Sequence, residues 1–144
     1  MFIINIKYDN VKLKPMTAGF DSPEPHLIFA NMEPKIIRAE DLKEEDHGDT
    51  KTTSILKING LKFNIAKIRK VGDDIKLGYD TESDVAYYVL DGEGECVING
   101  KKYHLKKGDC VFYPKGTKYK HLKGLTLLAI ACPPFDRKKR VYVE

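Results

Sequence analysis

The sequence has no tryptophan, no glutamine, only three cysteines and no long apolar run. No window approaches the roughly 18 apolar residues of a membrane-spanning helix, so we expect no membrane partner. The apolar residues 2–4 lack the basic flank and the length of a signal peptide, so we expect no export. Cys96, Cys110 and Cys132 are odd in number, fall in apolar runs and show no metal-ligand spacing. They indicate buried, reduced thiols in a cytoplasmic protein rather than a disulfide framework.

Charge of neither sign dominates the chain. Its 144 residues include 25 Lys or Arg and 21 Asp or Glu, and the two signs alternate along most of the sequence. Without a concentrated basic field, nucleic acid is not an expected partner. Twenty-one lysines and no glutamine resemble the composition of proteins from hot environments. With 42% apolar residues the chain is too apolar for disorder and suits one globular domain.

The second half is punctuated by glycines that stand eight residues apart. They are Gly92, Gly100, Gly108, Gly116 and Gly124. Runs rich in β-branched and aromatic residues lie between them, and short strands at regular spacing predict an all-β sandwich or barrel. Asn99-Gly100 predicts a hairpin, because both central positions of a type I′ turn require positive φ. We interpret Asp91-Gly92 and Asn59-Gly60 in the same way.

The first half adds further strands. Residues 61–69 predict a long strand with a bulge near Ala66, where the inward parity changes, and residues 55–58 predict its hairpin partner. Residues 2–7 and 11–14 favour strands, residues 15–34 a proline-rich loop, and residues 39–46 a brief helix. We expect residues 1–50 to pack on a barrel formed by residues 51–144, in one structural domain. The basic run 137–140 predicts a solvated turn before an edge strand.

Four segments closely resemble the conserved core of the cupin family. They read YYVLDGEG at 87–94, INGK at 98–101, LKKGD at 105–109 and YPKGT at 113–117. The resemblance covers about residues 60–131 in unbroken order. It implies a double-stranded β-helix of jelly-roll type that holds a ligand or a metal, in a homodimer.

The positions at which metal-binding cupins carry histidines and a glutamate are occupied differently. They hold Tyr79, Thr81, Val85 and Tyr119. Tyrosine binds a metal only after losing a proton with a pKa near 10, and valine has no donor atom. We therefore predict no metal and no other cofactor, with a non-standard divalent metal as the alternative. A one-residue shift of the first motif brings Asp80 and Asp84 into view, but such a shift turns side chains to the opposite face.

A barrel without a metal leaves room for a small molecule. If Tyr119 faces inward, period-two alternation places His121 on the same face. The predicted ligand-binding residues are Tyr79, Thr81, Tyr87, Tyr119 and His121. Lys67 or Arg69 supplies a cation only if the bulge turns it inward, and exposure is the default for charged side chains.

Three functions fit these residues. The first is binding of a small polar molecule, such as a sugar or a carboxylate, without a metal. The second is a metal-independent isomerase or epimerase that uses His121 as base and Tyr119, Tyr79 or Tyr87 as acid, the type of pair used by metal-free sugar-nucleotide epimerases that resemble cupins. The third is a filled barrel that supports dimerisation. The fold alone does not decide among them.

Overall fold

The computed structural model describes residues 32–144, and its contacts divide the chain into two units, Met1–Ile36 and Ile37–Glu144. The strands predicted at residues 2–7 and 11–14 lie outside the described residues. The second unit carries all the features below. No helix in the described part of the chain is long and apolar enough to cross a membrane.

The second unit is built from short antiparallel strands. They are β1 (Glu44–Asp46), β2 (Thr50–Leu56), β3 (Asn64–Lys70), β4 (Gly78–Asp80), β5 (Asp84–Ile98), β6 (Lys101–Lys106), β7 (Cys110–Tyr113), β8 (Tyr119–His121), β9 (Leu125–Cys132) and β10 (Arg140–Tyr142). Two 3₁₀ turns, Ala39–Asp41 and Arg137–Lys139, complete the described elements. The predicted helix at residues 39–46 is wrong beyond its first turn, because pairing with β2 draws β1 into the sheet.

The long strand β5 joins two halves of one curled sheet. Its first part lies between β9 and β7, in the half that continues through β3 and β2 to β1. Its second part lies between β8 and β6, in the half that continues through β4 to β10. This arrangement confirms the all-β fold and the cupin-type jelly roll predicted from the sequence.

The crossing between the two halves corrects one predicted turn. Asp91-Gly92 does not reverse the chain, since β5 continues through it and bends from one half into the other. Gly92 has a φ of 76°, and a Cβ atom on it would lie 2.0 Å from the carbonyl oxygen of Gly124. Only glycine allows the two backbones to approach this closely.

The other local signals correspond to observed turns. Asn99 and Gly100 have φ values of 49° and 84°, and Ile98 pairs with Lys101 across them, as a type I′ hairpin requires. The predicted bulge lies on β2 rather than β3, because Ser54 pairs with Ala66 and Leu56 with Ile65, which leaves Ile55 as the extra residue. Along β3 itself the alternation is unbroken, and alternate residues from Asn64 to Lys70 face the barrel interior.

The barrel is packed at one end and hollow at the other. Val89, Cys96 and Leu127 are fully buried and belong to the core cluster that fills the packed end.

Cys110 and Cys132 are exposed, so the expectation that all three thiols are buried is wrong for two of them. The homodimer and the cytoplasmic location stay predictions.

Candidate functional site

The hollow end encloses a cavity of about 560 Å³. Small side chains create it, because β3 and β9 place Ala66 opposite Ala129, and β5 places Val85 opposite Ala131. A larger aliphatic residue at the alanine positions would fill this space, as Leu127 does two residues before Ala129. The volume is within the range of sites for small organic molecules.

One wall of the site is formed by Tyr87, Tyr119 and His121, which pack in an aromatic cluster with Tyr113, a residue that does not itself line the cavity. The rings of Tyr113 and Tyr119 stack with centroids 3.8 Å apart and an interplanar angle of 6°. Tyr87 meets His121 edge to face, with centroids 4.5 Å apart. These contacts hold the side chains in fixed positions, so their polar atoms are preorganised.

A hydrogen-bonded chain runs from this cluster to an ion pair. The Tyr119 hydroxyl donates to Asp80 Oδ2 at 3.0 Å, and Arg140 Nη1 donates to Asp80 Oδ1 at 3.2 Å. Tyr119 has only one hydroxyl hydrogen, so the 2.7 Å contact between the Tyr87 and Tyr119 hydroxyls is donated by Tyr87. The Asp80 and Arg140 side chains are only 5% and 11% exposed, and the low local dielectric strengthens their attraction.

The aromatic groups stay uncharged at neutral pH. Burial raises the pKa of Tyr87 to about 12, although its hydrogen bond to Tyr119 acts in the opposite direction. Burial also raises the pKa values of Tyr113 and Tyr119. Burial, and then the charges of Lys70 and Arg140, lower the pKa of His121 to about 3. The neutral imidazole shares a 3.0 Å hydrogen bond between Nε2 and the Tyr113 hydroxyl.

Positive charge prevails along the cavity. Its lining includes the basic residues Lys70, Lys76, Lys120, Arg137 and Arg140, against the acidic residues Asp49 and Asp74. Most of the lysine and arginine charges are already partnered. Lys76 pairs with Asp74 at 3.3 Å, Lys120 with Glu144 at 3.0 Å, and Arg140 with Asp80.

Lys70 differs from these residues. It is half-buried at the end of β3, and within residues 32–144 no carboxylate lies within ion-pair distance of it. Its Nζ donates to the Thr50 hydroxyl at 3.2 Å. Burial, and then the nearby charge of Arg140, lower the pKa of Lys70 to about 8. Among the described residues, this costly ammonium group at the cavity wall therefore has no carboxylate to balance it.

The residues predicted for the site separate into two groups. Tyr87, Tyr119 and His121 line the cavity, whereas Tyr79 and Thr81 do not. In β4 the buried positions are Gly78 and Asp80, so alternation turns Tyr79 away. Thr81 is exposed, and its hydroxyl donates to the carbonyl of Lys139 at 2.7 Å. The ligand-binding role of all five residues stays a prediction.

A one-residue shift of the first motif offered Asp80 and Asp84 as possible ligands. Of these two residues, Asp80 is buried and faces the tyrosines, as described above. Asp84 is exposed, and its Oδ1 accepts a hydrogen bond from the Lys115 amide at 2.9 Å. The inward positions of β4 are therefore Gly78 and Asp80, one residue before those that the resemblance implies, whereas Val85 faces inward as the resemblance implies.

Sequence reasoning missed Lys70, Arg140 and Tyr113. Arg140 was expected in a solvated turn, but it begins β10 and lines the cavity with Tyr142. The alternation of residues 140–142 was the available signal. The lysine and arginine that were considered, Lys67 and Arg69, are not on the cavity lining, and Arg69 pairs with Glu44.

The inward-facing residues do not fit the metal that many cupins hold. The four inward positions of the two motifs carry Gly78, Asp80, Val85 and Tyr119, and only the Asp80 carboxylate is a good ligand. That carboxylate is engaged by Arg140 and Tyr119, and Nε2 of the buried His121 by Tyr113. No group of three His, Cys, Asp or Glu side chains able to hold a metal exists among the described residues.

Comparison with known proteins identifies relatives of the chain. A family model described as "Cupin domain" matches residues 70–123. An uncharacterized protein of Aquifex aeolicus is 34% identical over 122 residues, which cover 82% of this chain and 98% of that protein.

Solved structures share the fold. Streptomyces Pac13, described as a nucleoside dehydratase, was determined with uridine, and superposes with a TM-score of 0.70 at 13% identity over 78% of this chain and 93% of its own. Ectoine synthase from P. lautus gives a TM-score of 0.63 at 18% identity over 78% of this chain and 91% of its own. At these identities the likeness concerns the fold alone.

Proposed function

This chain belongs to the cupin superfamily, and from that premise we propose that it binds a small organic anion in the barrel cavity without a transition metal. The observation that carries the proposal is Lys70, a half-buried cation on the cavity wall with no carboxylate partner among the described residues. A bound carboxylate would supply the missing partner. It would also remove the electrostatic cost that lowers the pKa of Lys70.

The remaining lining suits a hydroxylated or cyclic body attached to that anion. Tyr87 and Tyr119 offer hydroxyl oxygens as acceptors, and aromatic faces pack well against sugar or ring atoms. Ala66, Ala129 and Ala131 provide an apolar floor. Pac13 was determined with uridine, so a related barrel accommodates a small organic molecule. The proposed ligand class is therefore a small acid, with sugar acids as the first candidates.

The test compares acids with neutral molecules of the same shape. Calorimetric titrations with glucuronate and glucose are expected to show binding of the acid only. Lys70→Met is expected to weaken acid binding about 10- to 100-fold, which corresponds to the loss of a charge-assisted hydrogen bond. Lys67→Met is the matched control, because Lys67 belongs to the same strand but does not line the cavity.

The outcome that contradicts the proposal is equally clear. If a panel of small mono- and dicarboxylates and sugar acids gives no binding, or if Lys70→Met binds them as tightly as the unaltered protein, the cavity is not an anion site. Equal binding of glucuronate and glucose would replace the anion with a neutral sugar as the ligand class.

The isomerase or epimerase hypothesis has weaker support. A base is most effective when its pKa lies near the working pH, and the pKa of His121 is lowered to about 3. Its Nε2 is also engaged with the Tyr113 hydroxyl. His121 is therefore better suited to fixing the aromatic wall than to removing a proton from a substrate.

A further inference from the structure

We propose that the Lys70 amine forms an imine with the carbonyl group of a 2-oxo acid held in this cavity, an inference that rests on the proposed anion binding. The geometry that carries it is a lysine amine on the wall of a 560 Å³ cavity, with Arg140 as a second cation on the same lining, where Nη1 of its guanidinium pairs with Asp80. For an oxo acid, Arg140 is the cation that attracts the carboxylate, so Lys70 meets the carbonyl carbon next to it and does not itself form the ion pair expected with other acids.

A lysine attacks a carbonyl only if its nitrogen lone pair is available. Ion pairing holds an amine in the protonated form, and this applies to Lys76 and Lys120, which pair with Asp74 and Glu144. The Nζ of Lys70 instead contacts the neutral hydroxyl of Thr50 at 3.2 Å. Among the basic residues of the lining, Lys70 is therefore the one whose surroundings favour the free amine.

The surroundings of Lys70 set the fraction of its side chains that carry the free amine. Burial and the charge of Arg140 lower its pKa to about 8. At pH 7 about a tenth of the Lys70 side chains then carry the free amine, against less than about a thousandth for a lysine with an ordinary pKa. His121 stays neutral, so Arg140 is the nearby cation that acts on the pKa of Lys70.

The proposed step conserves atoms and needs no oxidant or reductant. The Nζ lone pair forms a bond to the carbonyl carbon, and the carbonyl oxygen takes up a proton to give a carbinolamine. The hydroxyl group then leaves as water when a second proton reaches it and the C=N bond forms. In the neutral imine both hydrogens of the free amine have ended in that water, and the Thr50 hydroxyl beside Nζ is placed to pass them on. The imine nitrogen then takes up one proton to give the iminium group that a hydride donor reduces.

The experiment traps the imine with a hydride donor. The full-length protein is incubated with pyruvate and sodium cyanoborohydride, and intact mass and peptide mapping locate the reduced adduct. We expect one adduct, at Lys70, formed at least about tenfold more than at any other lysine, because of the difference in free amine. Lactate, which has the carboxylate but no carbonyl, is expected to suppress trapping by competing for the cavity.

Lys70→Arg separates the charge of the side chain from its chemistry. This variant keeps a cation at the cavity, so it is expected to bind lactate within about tenfold of the unaltered protein and to give no adduct. The Lys67→Met variant is expected to form the reduced adduct at Lys70 to the same extent as the unaltered protein. Calorimetric binding of lactate by Lys70→Arg also reports that the variant is folded.

The outcomes distinguish the two proposals. If lactate and pyruvate bind but no adduct forms at Lys70, or if labelling is spread evenly over the lysines, the imine inference is overturned and anion binding stands. If neither acid binds and none of the small-acid panel does, the proposed function fails as well. A Lys70→Arg variant that is trapped to the same extent as the unaltered protein also overturns the inference.

Discussion

Replacing Lys70 with methionine is expected to stabilise the folded protein while it removes the proposed anion-binding charge. Methionine keeps the length and most of the apolar stem of lysine, but it has no ammonium group to desolvate. The pKa of Lys70 is lowered from its ordinary 10.5 to about 8 on folding, so the protonated form is held less well by the folded state than by the unfolded chain. That difference is a cost in the free energy of unfolding.

The magnitude follows from the two pKa values. A difference between 10.5 and about 8, at about 1.4 kcal/mol for each pH unit, gives about 3 kcal/mol. Lys70 is only half-buried, and methionine loses the hydrogen bond to Thr50, which together reduce the expected gain to about 2 kcal/mol. A functional side chain that reduces stability is common at binding sites.

The pH dependence identifies the cause. The cost is fully present below about pH 8, where Lys70 is protonated in both states, and it disappears as the pH rises to about 10.5. Urea unfolding of the unaltered protein and of Lys70→Met should therefore give free energies that differ most near pH 7 and converge near pH 10.5. Lys67→Met is expected to show no such convergence.

Two results would refute this reasoning. One is a Lys70→Met variant that is less stable than the unaltered protein at pH 7, which would mean that the ammonium group has a compensating partner. The other is a stability difference that stays constant up to pH 10.5, which would point to packing rather than charge. A saturating ligand acid should narrow the difference at pH 7, because it stabilises only the protein that binds it.

Two further predictions concern the barrel. The pKa of His121 is lowered to about 3 on folding, so the unfolded chain takes up a proton at a higher pH than the folded protein does. The free energy of unfolding should therefore fall by about 3–5 kcal/mol as the pH falls from 6.5 to 3. His121→Asn should remove this part of the pH dependence, whereas His104→Asn, at an exposed site, should leave it in place. Equal slopes in both variants would contradict it. Gly92→Ala places a Cβ atom 2.0 Å from the Gly124 carbonyl oxygen and should lower the free energy of unfolding by more than about 3 kcal/mol. Gly116 has a similar φ but open space around it, so Gly116→Ala should lower it by only about 1–2 kcal/mol. Equal losses of stability in urea unfolding would mean that backbone strain alone matters.

Several strands and the Asn99-Gly100 hairpin were predictable from the sequence because turns and alternation are local properties. Asn99-Gly100 specifies its hairpin through the φ values of two adjacent residues, and no distant contact is needed. Gly92 shows where local reasoning ends. Its positive φ serves a close approach to Gly124, 32 positions along the chain, so a signal that predicts a reversal marks a crossing instead.

The candidate site depended far more on tertiary structure. Alternation within β8 relates His121 to Tyr119, and the family resemblance was what suggested that Tyr119 faces inward with Tyr87. Lys70 and Arg140 come from strands 70 positions apart; Arg140 belonged to a basic run expected in a solvated turn, and no local pattern singled out Lys70.

Each strand turns alternate residues into the barrel. Bulges and the pairing register with neighbouring strands decide whether these are its even-numbered or its odd-numbered residues. Lys70 turns inward because β3 alternates without a break against β9, and Asp80 turns inward because the buried positions of β4 are Gly78 and Asp80. Strand spacing and turn chemistry thus predicted an all-β sandwich or barrel by themselves, and the family resemblance selected the barrel. Only the register of its paired strands decided that the barrel is hollow at one end. The register also decided that Lys70, which has no carboxylate partner among the described residues, lines the hollow, because a shift of one residue exchanges every inside position for an outside one.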